Sequence, residues 1–240
     1  ASLRSGAGLV TALVPNCGYD VMQTTCPEAM VIAAGGELSI KREILFNFDV
    51  TKYSGIGLGP GIGTTNDVKN FFEGLLDICR KPMVLDADAL NLIAANETFA
   101  DKIPPLSILT PHPGEFKRLT CSWDNDLAKI QLQVNYSQKH NAIVVLKGAH
   151  TSISTPGGDV YFNSTGNAGM AKGGSGDVLT GIITALLAQG YNSLQSAMLG
   201  VYVHGLAGDY AAQQLGKTSM NAGDIIRYLP KAFINLEESK

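Results

Sequence analysis

The sequence predicts an α/β protein built on a mostly parallel sheet covered by helices. Short apolar, β-branched runs alternate with longer stretches of helical periodicity, and segments rich in glycine, proline or aspartate follow nearly every strand-like run. With 240 residues, 45% of them hydrophobic, the chain has enough material for one such domain with a substantial core.

The elements follow in order. Ala1-Ser2-Leu3-Arg4-Ser5-Gly6 reads as the last turn of a helix with its glycine C-cap, and a strand at 9–14 comes next. A domain opening inside a βα unit is expected to lack its first strand, so residues 1–240 are read as one N-terminally incomplete domain. Strands are expected at 29–33, 53–58, 82–86, 106–109 and 142–147, with helices at 65–80, 89–95, 114–120 and 126–140 between them. Residues 151–154 and 159–163, joined by Thr155-Pro156-Gly157-Gly158, form a hairpin pattern. Helical spacing runs from 176 to 215 with a break at 190–192, and a last short helix is expected at 224–229. No repeat, low-complexity tract or linker divides the chain.

Charge and cysteines narrow the function classes. Eighteen basic and 21 acidic residues leave a net charge of −3, which argues against nucleic acid or an acidic membrane as a partner held by bulk charge. Cys17, Cys26, Cys79 and Cys121 are too widely spaced for a zinc knuckle or a disulfide framework. The apolar stretch at 178–188 is too short to span a bilayer, and no basic-then-apolar leader is read at the start. A reducing, soluble compartment, the cytoplasm, is the expected setting.

Glycine is the unusual component: 27 residues, or 11%, against about 7% in ordinary proteins. Eleven of them fall in 55–63 and 166–181, stretches totalling 25 residues. In open α/β sheets ligands bind beyond the carboxyl ends of the strands, and both stretches lie at such places.

The run from Asn167 to Asp177 leads directly into the apolar helix beginning Val178-Leu179. Glycines opening a helix present backbone N–H groups at the positive end of its dipole, the arrangement needed to hold a phosphate. An aspartate there is either an ordinary N-cap or a base. Beside a phosphate cradle Asp177 would repel the anion, a cost that makes sense if it removes a proton from a hydroxyl about to attack a phosphoryl group. Walker A, Rossmann and nucleophile-elbow patterns all fail in register, so the phosphate chemistry belongs to another architecture.

Other strand ends leave two readings each. Ser54 to Gly63 permits close approach of a flat ligand or simply turns the chain into a helix. Asp86 and Asp88 are placed to orient magnesium waters or a ligand hydroxyl, or to cap the following helix. His112, held between Pro111 and Pro113, suits a ligand contact better than packing, whereas His140 and His150 read as surface residues and His204 as a helix residue. Lys147 either neutralises a phosphate or snorkels from a strand end.

Taken together, these segments resemble the ADP/ATP-dependent NAD(P)H-hydrate dehydratase family, a branch of the ribokinase-like superfamily. The matching residues are Gly-Leu-Gly-Pro-Gly-Ile-Gly at 57–63, Leu-Asp-Ala-Asp-Ala-Leu-Asn at 85–91, Thr-Pro-His-Pro-Gly-Glu-Phe at 110–116, Lys-Gly-Ala-His-Thr at 147–151 and Gly-Asn-Ala-Gly-Met-Ala-Lys-Gly-Gly-Ser-Gly-Asp at 166–177. The resemblance implies a ribokinase-like three-layer sandwich, with helices on both faces of the sheet and the first βα unit missing. It also implies a lyase of metabolite repair, which uses ADP or ATP with Mg2+ to dehydrate the S-epimer of hydrated NADH or NADPH, releasing AMP and phosphate when ADP is used.

Carried over by position, Lys147, Gly148, Ala149, His150 and Thr151, with Asn167, Ala168, Gly169, Met170, Ala171, Lys172, Gly173, Gly174, Ser175 and Gly176, would contact the nucleotide. Gly59, His112, Pro113, Gly114, Glu115 and Asp177 would line the hydrated cofactor, with Asp177 the catalytic base. The His-Pro-Gly-Glu and Gly-Asp-Val-Leu sequences are closer to the bacterial and archaeal members that favour ADP. A homo-oligomer, in the form of a tetramer, is a further expectation from the resemblance.

Two rivals remain open at this level. A kinase of a small alcohol, such as a pyrimidine or thiazole vitamin precursor, would use the same helix start. A nucleotide-binding protein without catalysis would gain nothing from a carboxylate at Asp177.

Overall fold

A computed structural model describes residues 1–238. Its centre is a six-stranded sheet of β3 (Ile56–Leu58), β4 (Met83–Leu85), β5 (Ile108–Leu109), β6 (Ile143–Leu146), β7 (Ser152–Ser154) and β8 (Val160–Phe162), paired in that order. The first four strands are parallel; β7 and β8 form the antiparallel hairpin expected from Pro156-Gly157-Gly158. β1 (Thr11–Val14) and β2 (Met30–Ala33) pair with each other as a separate two-stranded parallel sheet, a division the strand pattern did not signal.

Alternation along the strands builds two apolar cores. Met83, Leu85, Leu109, Val144 and Leu146 face one side, against α2 (Asn66–Ile78), α3 (Asp88–Ala95), α4 (Thr98–Lys102), α5 (Pro113–Leu119) and α6 (Asp126–His140). Val84, Ile108, Ile143, Val145 and Ile153 face the other, against Leu179 and Ile183 of α7 (Ser175–Ala188) and Ala197 and Val201 of α8 (Ser193–Ser219). The period of two is therefore apolar on both faces, as a sheet covered on both sides requires. α7 is buried on its outer side too, where Val178, Ile182 and Leu186 meet α8 and α9 (Ala222–Glu238). This is the three-layer sandwich the sequence implies.

The polar strand β7 is reconciled with burial through α6. Gln133 donates to the carbonyls of Val144 and Ser152 at 2.9 and 3.1 Å and accepts from Ser152 Oγ at 2.6 Å, while the Ser137 and Ser154 hydroxyls pair at 2.5 Å.

Three expectations are corrected. A helix α1 (Asn16–Thr25) lies between β1 and β2; none of its residues is buried, so it carries no apolar stripe to read. The last helix is not short: α9 continues through Pro230, because Ala232, Phe233 and Leu236 still pack on the α7–α8 layer. His140 is not a surface side chain. Its ring lies 4.5 Å from that of Tyr136, and burial lowers its pKa. Among the described residues no helix is long and apolar enough to cross a membrane.

Candidate active site

Four parallel strands bring the sequence-predicted segments to one edge. Asp86 N–H donates to the Leu58 carbonyl beyond β3, Thr110 N–H to Leu85 beyond β4, and Lys147 N–H to Pro111 beyond β5. These bonds set the loops side by side in the order 59–63, 86–88, 110–115 and 147–151, with α7 opening across them.

Asp86 is the hub. Its carboxylate is buried, accepting from Lys147 Nζ at 2.8 Å on one oxygen and from Thr180 Oγ at 2.6 Å on the other. One buried acid thus joins the ends of β4 and β6 to the first turns of α7, its charge balanced by a lysine that stays partly exposed. Glu115, also buried, lies 4.0 Å from the same Lys147 ammonium. Lys147 is accordingly not a snorkelling residue. Thr180 has no counterpart in the sequence reading; its only signal is its position one helical turn after Gly176.

One glycine is demanded by this packing. Gly59 has φ +132°, and a β-carbon on it would collide with the Asp86 carbonyl. At Gly176 a β-carbon would lie 3.1 Å from Lys147 Nζ, so the ammonium would have to shift slightly away from it. Part of the glycine signal at 55–63 is therefore close approach of strand to strand.

Asp88 does not cap α3; Ala87 is the N-cap, at φ 49°. Instead the Asp88 carboxylate accepts from Gly63 N–H at 2.8 Å and from Asn91 Nδ2 at 3.3 Å, tying the glycine loop to β4. Both side chains flanking Ala87 are thus fixed, which holds a non-glycine residue in a sparsely populated conformation.

His112 is the N-cap of α5. Its Nδ1 accepts from Gly114 N–H at 3.0 Å and Glu115 N–H at 3.3 Å, and the Glu115 carboxylate accepts in return from His112 N–H at 2.8 Å. An imidazole thus takes the role usually given to Ser, Thr or Asp. Pro113 occupies N1, where its missing N–H costs nothing. The imidazole remains about half exposed, with Nε2 3.4 Å from Glu115 Oε1.

The glycine-rich segment divides in two. Gly166 to Lys172 is fastened to α8, whereas Gly173 is exposed and Gly174, at φ +85°, is the N-cap of α7 with no side chain capping it. Asp177 is therefore not the N-cap. It stands in the first turn of α7, exposed, and accepts no hydrogen bond from any described residue. Ser175 is buried with Oγ 3.3 Å from His204 Nε2 on α8; burial, with a smaller push from the Lys147 charge, lowers the His204 pKa to about 4, so the ring is neutral. In the loop after β6, Gly148, Ala149 and His150 are exposed, and Thr151 Oγ accepts from Gly148 N–H at 3.4 Å.

The strand ends thus bring together helix N–H groups without a side-chain cap, a partly buried lysine and an exposed carboxylate without a hydrogen-bond partner, an arrangement that suits anion binding next to a proton acceptor. Known proteins bear on this geometry. A sequence model of the NAD(P)H-hydrate dehydratase family matches residues 1–231. A bifunctional NAD(P)H-hydrate repair enzyme Nnr from Moorella thermoacetica is 40% identical over 99% of this chain and 46% of its own length. The Escherichia coli enzyme of the same name is 37% identical over 96% of this chain and 43% of its own. The chain spans about half the length of these curated relatives. Among solved structures, the Bacillus subtilis ADP/ATP-dependent NAD(P)H-hydrate dehydratase superposes with TM-score 0.82 at 29% identity, over 98% of this chain and 81% of that one. Hydroxyethylthiazole kinase from Pyrococcus horikoshii, TM-score 0.68 at 17% identity, shares the fold. With the motifs assembled at one sheet edge and the match running almost end to end, the chain belongs to the NAD(P)H-hydrate dehydratase family.

Proposed function

We propose that this chain dehydrates the S-epimer of hydrated NADH or NADPH at the expense of an adenine nucleotide, with ADP the preferred one, yielding AMP, phosphate and the restored cofactor. The observation that carries the reading is Asp177: an exposed carboxylate without a hydrogen-bond partner, in the first turn of a helix whose opening N–H groups are uncapped. The helix dipole favours a carboxylate in that place but a phosphate held beside it is repelled, a cost that makes sense if the carboxylate takes a proton.

Hydroxide leaves poorly and a phosphate ester leaves well. Asp177 takes the proton of the ring hydroxyl as its oxygen forms a bond to the terminal phosphorus, and the bond from that phosphorus to the departing nucleotide breaks. The ring nitrogen lone pair then expels phosphate, and loss of a proton from the neighbouring carbon restores the double bond. The amides of Gly173 to Gly176, among which Ser175 N–H also donates to the Lys172 carbonyl at 3.3 Å, stabilise charge on the phosphoryl oxygens with Lys147 behind Gly176. The segments 147–151 and 166–176 are assigned to the nucleotide, and Gly59 with the loop 112–115 to the hydrated ring.

Magnesium is read as arriving with the nucleotide, in keeping with the ATP/Mg2+ co-crystal of the Bacillus subtilis relative. The carboxylates at the strand ends are already engaged, Asp86 with Lys147 and Thr180 and Glu115 with His112 N–H, so the ion would be held by the nucleotide's phosphates and its own waters. When bound, the ion supplies positive charge to the phosphoryl oxygens. The assembly is proposed to be a homo-oligomer, a tetramer, and the setting the cytoplasm, where the free thiols of all four cysteines are stable.

The test mixes hydrated NADH with ADP or ATP and magnesium and follows recovery of dihydronicotinamide absorbance. Recovery that depends on nucleotide is expected; its absence from a folded sample sinks the reading. Asp177→Asn should bind nucleotide at least as well as the wild type while losing turnover by about 10²–10⁴-fold. Near-normal turnover in that variant would remove Asp177 from the chemistry. A small-alcohol kinase would instead release a phosphorylated alcohol and leave the hydrate untouched.

A further inference from the structure

The segment leading into α7 has little apolar packing of its own, yet it is fastened to α8 at successive points. Thr165 Oγ donates to the Tyr202 carbonyl at 2.9 Å. Asp209 takes Gly166 N–H on one carboxylate oxygen and Asn167 Nδ2 on the other, both at 2.9 Å. Asn167 Nδ2 also donates to the Gly208 carbonyl at 3.0 Å, and its Oδ1 accepts from Gly169 N–H at 2.9 Å. Met170 lies directly over Gly208, where any β-carbon would strike its sulfur. Further along, Lys172 Nζ donates to the carbonyls of Thr218 and Met220.

Asp209 stands out among these contacts. It is partly buried, and among the described residues it has no cationic partner; its whole accepting capacity on this side goes to one backbone N–H and one amide. Bonds of this kind, with a charged acceptor, are about twice as strong as neutral ones. They fall where the chain enters the glycine-rich run.

We propose that Asp209 is a positioning residue for nucleotide binding, acting through Gly166 and Asn167 to hold the segment 166–176 against α8 in the conformation that presents its N–H groups. The proposal rests on the reading that this segment holds the nucleotide. Fixing a residue costs backbone entropy, and a loop already fixed spares the ligand that cost. Once nucleotide is saturating the loop is ordered in any case, so the burden of losing Asp209 falls on nucleotide affinity and not on kcat.

The experiment measures ADP and ATP binding to the full chain by calorimetry, alongside turnover of hydrated NADH, for the wild type, Asp209→Ala, Asp209→Asn and Val203→Ala. Val203 is fully buried on α8 in the core shared with α7 and α9, and its side chain takes part in none of the hydrogen bonds above, so its truncation reports general destabilisation. Asp209→Ala should raise the nucleotide Kd by about tenfold or more, with kcat at saturating nucleotide and KM for the hydrate within about twofold of wild type. Asp209→Asn, which keeps one carbonyl oxygen, should fall between. Val203→Ala should lower the melting temperature while leaving Kd unchanged.

A wild-type Kd in Asp209→Ala, or an equal loss of affinity in Val203→Ala, overturns the proposal. A wild type that binds nucleotide but does not restore NADH defeats the dehydratase reading alone, because the Kd comparison still decides the role of Asp209. A wild type that binds neither nucleotide defeats both.

Discussion

His112 spends one ring nitrogen on the backbone N–H groups of Gly114 and Glu115, so the proposed role in substrate recognition and the observed role in helix capping fall on one side chain. They are separable. His112→Ala removes both, and should cost about 1 kcal/mol of stability as N-cap losses do, together with affinity for the hydrated cofactor. His112→Asn restores a capping oxygen without the ring. If Asn recovers stability in urea titrations but not the KM for the hydrate, the imidazole meets substrate; if it recovers both, His112 only shapes the loop. Asp86 makes a sharper case. Asp86→Ala leaves the Lys147 ammonium beside Glu115 without its main partner and leaves the Thr180 hydroxyl without an acceptor on that side. Loss of one member of a buried pair costs about 3–5 kcal/mol. Denaturant titration should show a loss of that size, and adding Lys147→Met should recover part of it; strictly additive losses would mean that the pair is not coupled.

At the scale of elements, the junction of α7 and α8 carries a pH dependence. His204 titrates near 6.5 in an unfolded chain but is lowered to about 4 here, chiefly by burial. Above pH 6.5 both states hold it neutral and it favours neither. Between pH 6.5 and about 4 the unfolded chain gains a proton that the folded one refuses, so stability falls with falling pH across that window. The total is about 3 kcal/mol, at roughly 1.4 kcal/mol per pH unit. His140, also lowered by burial, adds a loss of the same sign. Unfolding free energies measured from pH 7 to 4 should decline, and His204→Gln should flatten most of the decline; an unchanged slope would show that His204 is protonated in the folded protein. The same elements show what the sequence discloses. β4 and β6 were legible because they are apolar on both faces, and the β7–β8 hairpin because Pro156-Gly157-Gly158 announces a turn. α1 was not, since a helix without a buried face has no period to detect, and α9 was cut short at Leu229 because Pro230 argues for an end that tertiary packing overrides. The site followed the same division. Asp177, His112 and the glycine run stand in contiguous motifs, whereas the bonds joining Asp86 to Lys147 and Thr180 span 61 and 94 positions and belong to topology alone.

For the whole molecule, burial divides the chain unevenly. Every residue of β4, β5 and β6 is buried, and α7 is packed on two sides. The β1–α1–β2 unit is the opposite: no residue of β1, α1 or β2 is buried, Met30 is 48% and Val21 59% exposed, and the pair of strands is hydrogen-bonded to no strand of the large sheet. Leu13 packs against the core, while the bonds from Asn16 and Cys17 N–H to the carbonyls of Gly36 and Glu37 tie α1 only to the loop after β2. Elements with few buried contacts open locally at a small fraction of the global unfolding free energy, which for a domain is about 5–15 kcal/mol. Native-state hydrogen exchange should therefore find the α1 amides exchanging through local opening, with protection insensitive to low urea, while the amides of β4 to β6 exchange only through global unfolding and track it. Three of the four strand ends that carry the candidate site, those of β4, β5 and β6, belong to the second group, so addition of nucleotide should raise protection along α7 and the segment 166–176 and leave α1 unchanged. Equal protection across both groups would mean that α1 and its two strands fold and unfold as one with the large sheet, and that the uneven burial carries no energetic weight.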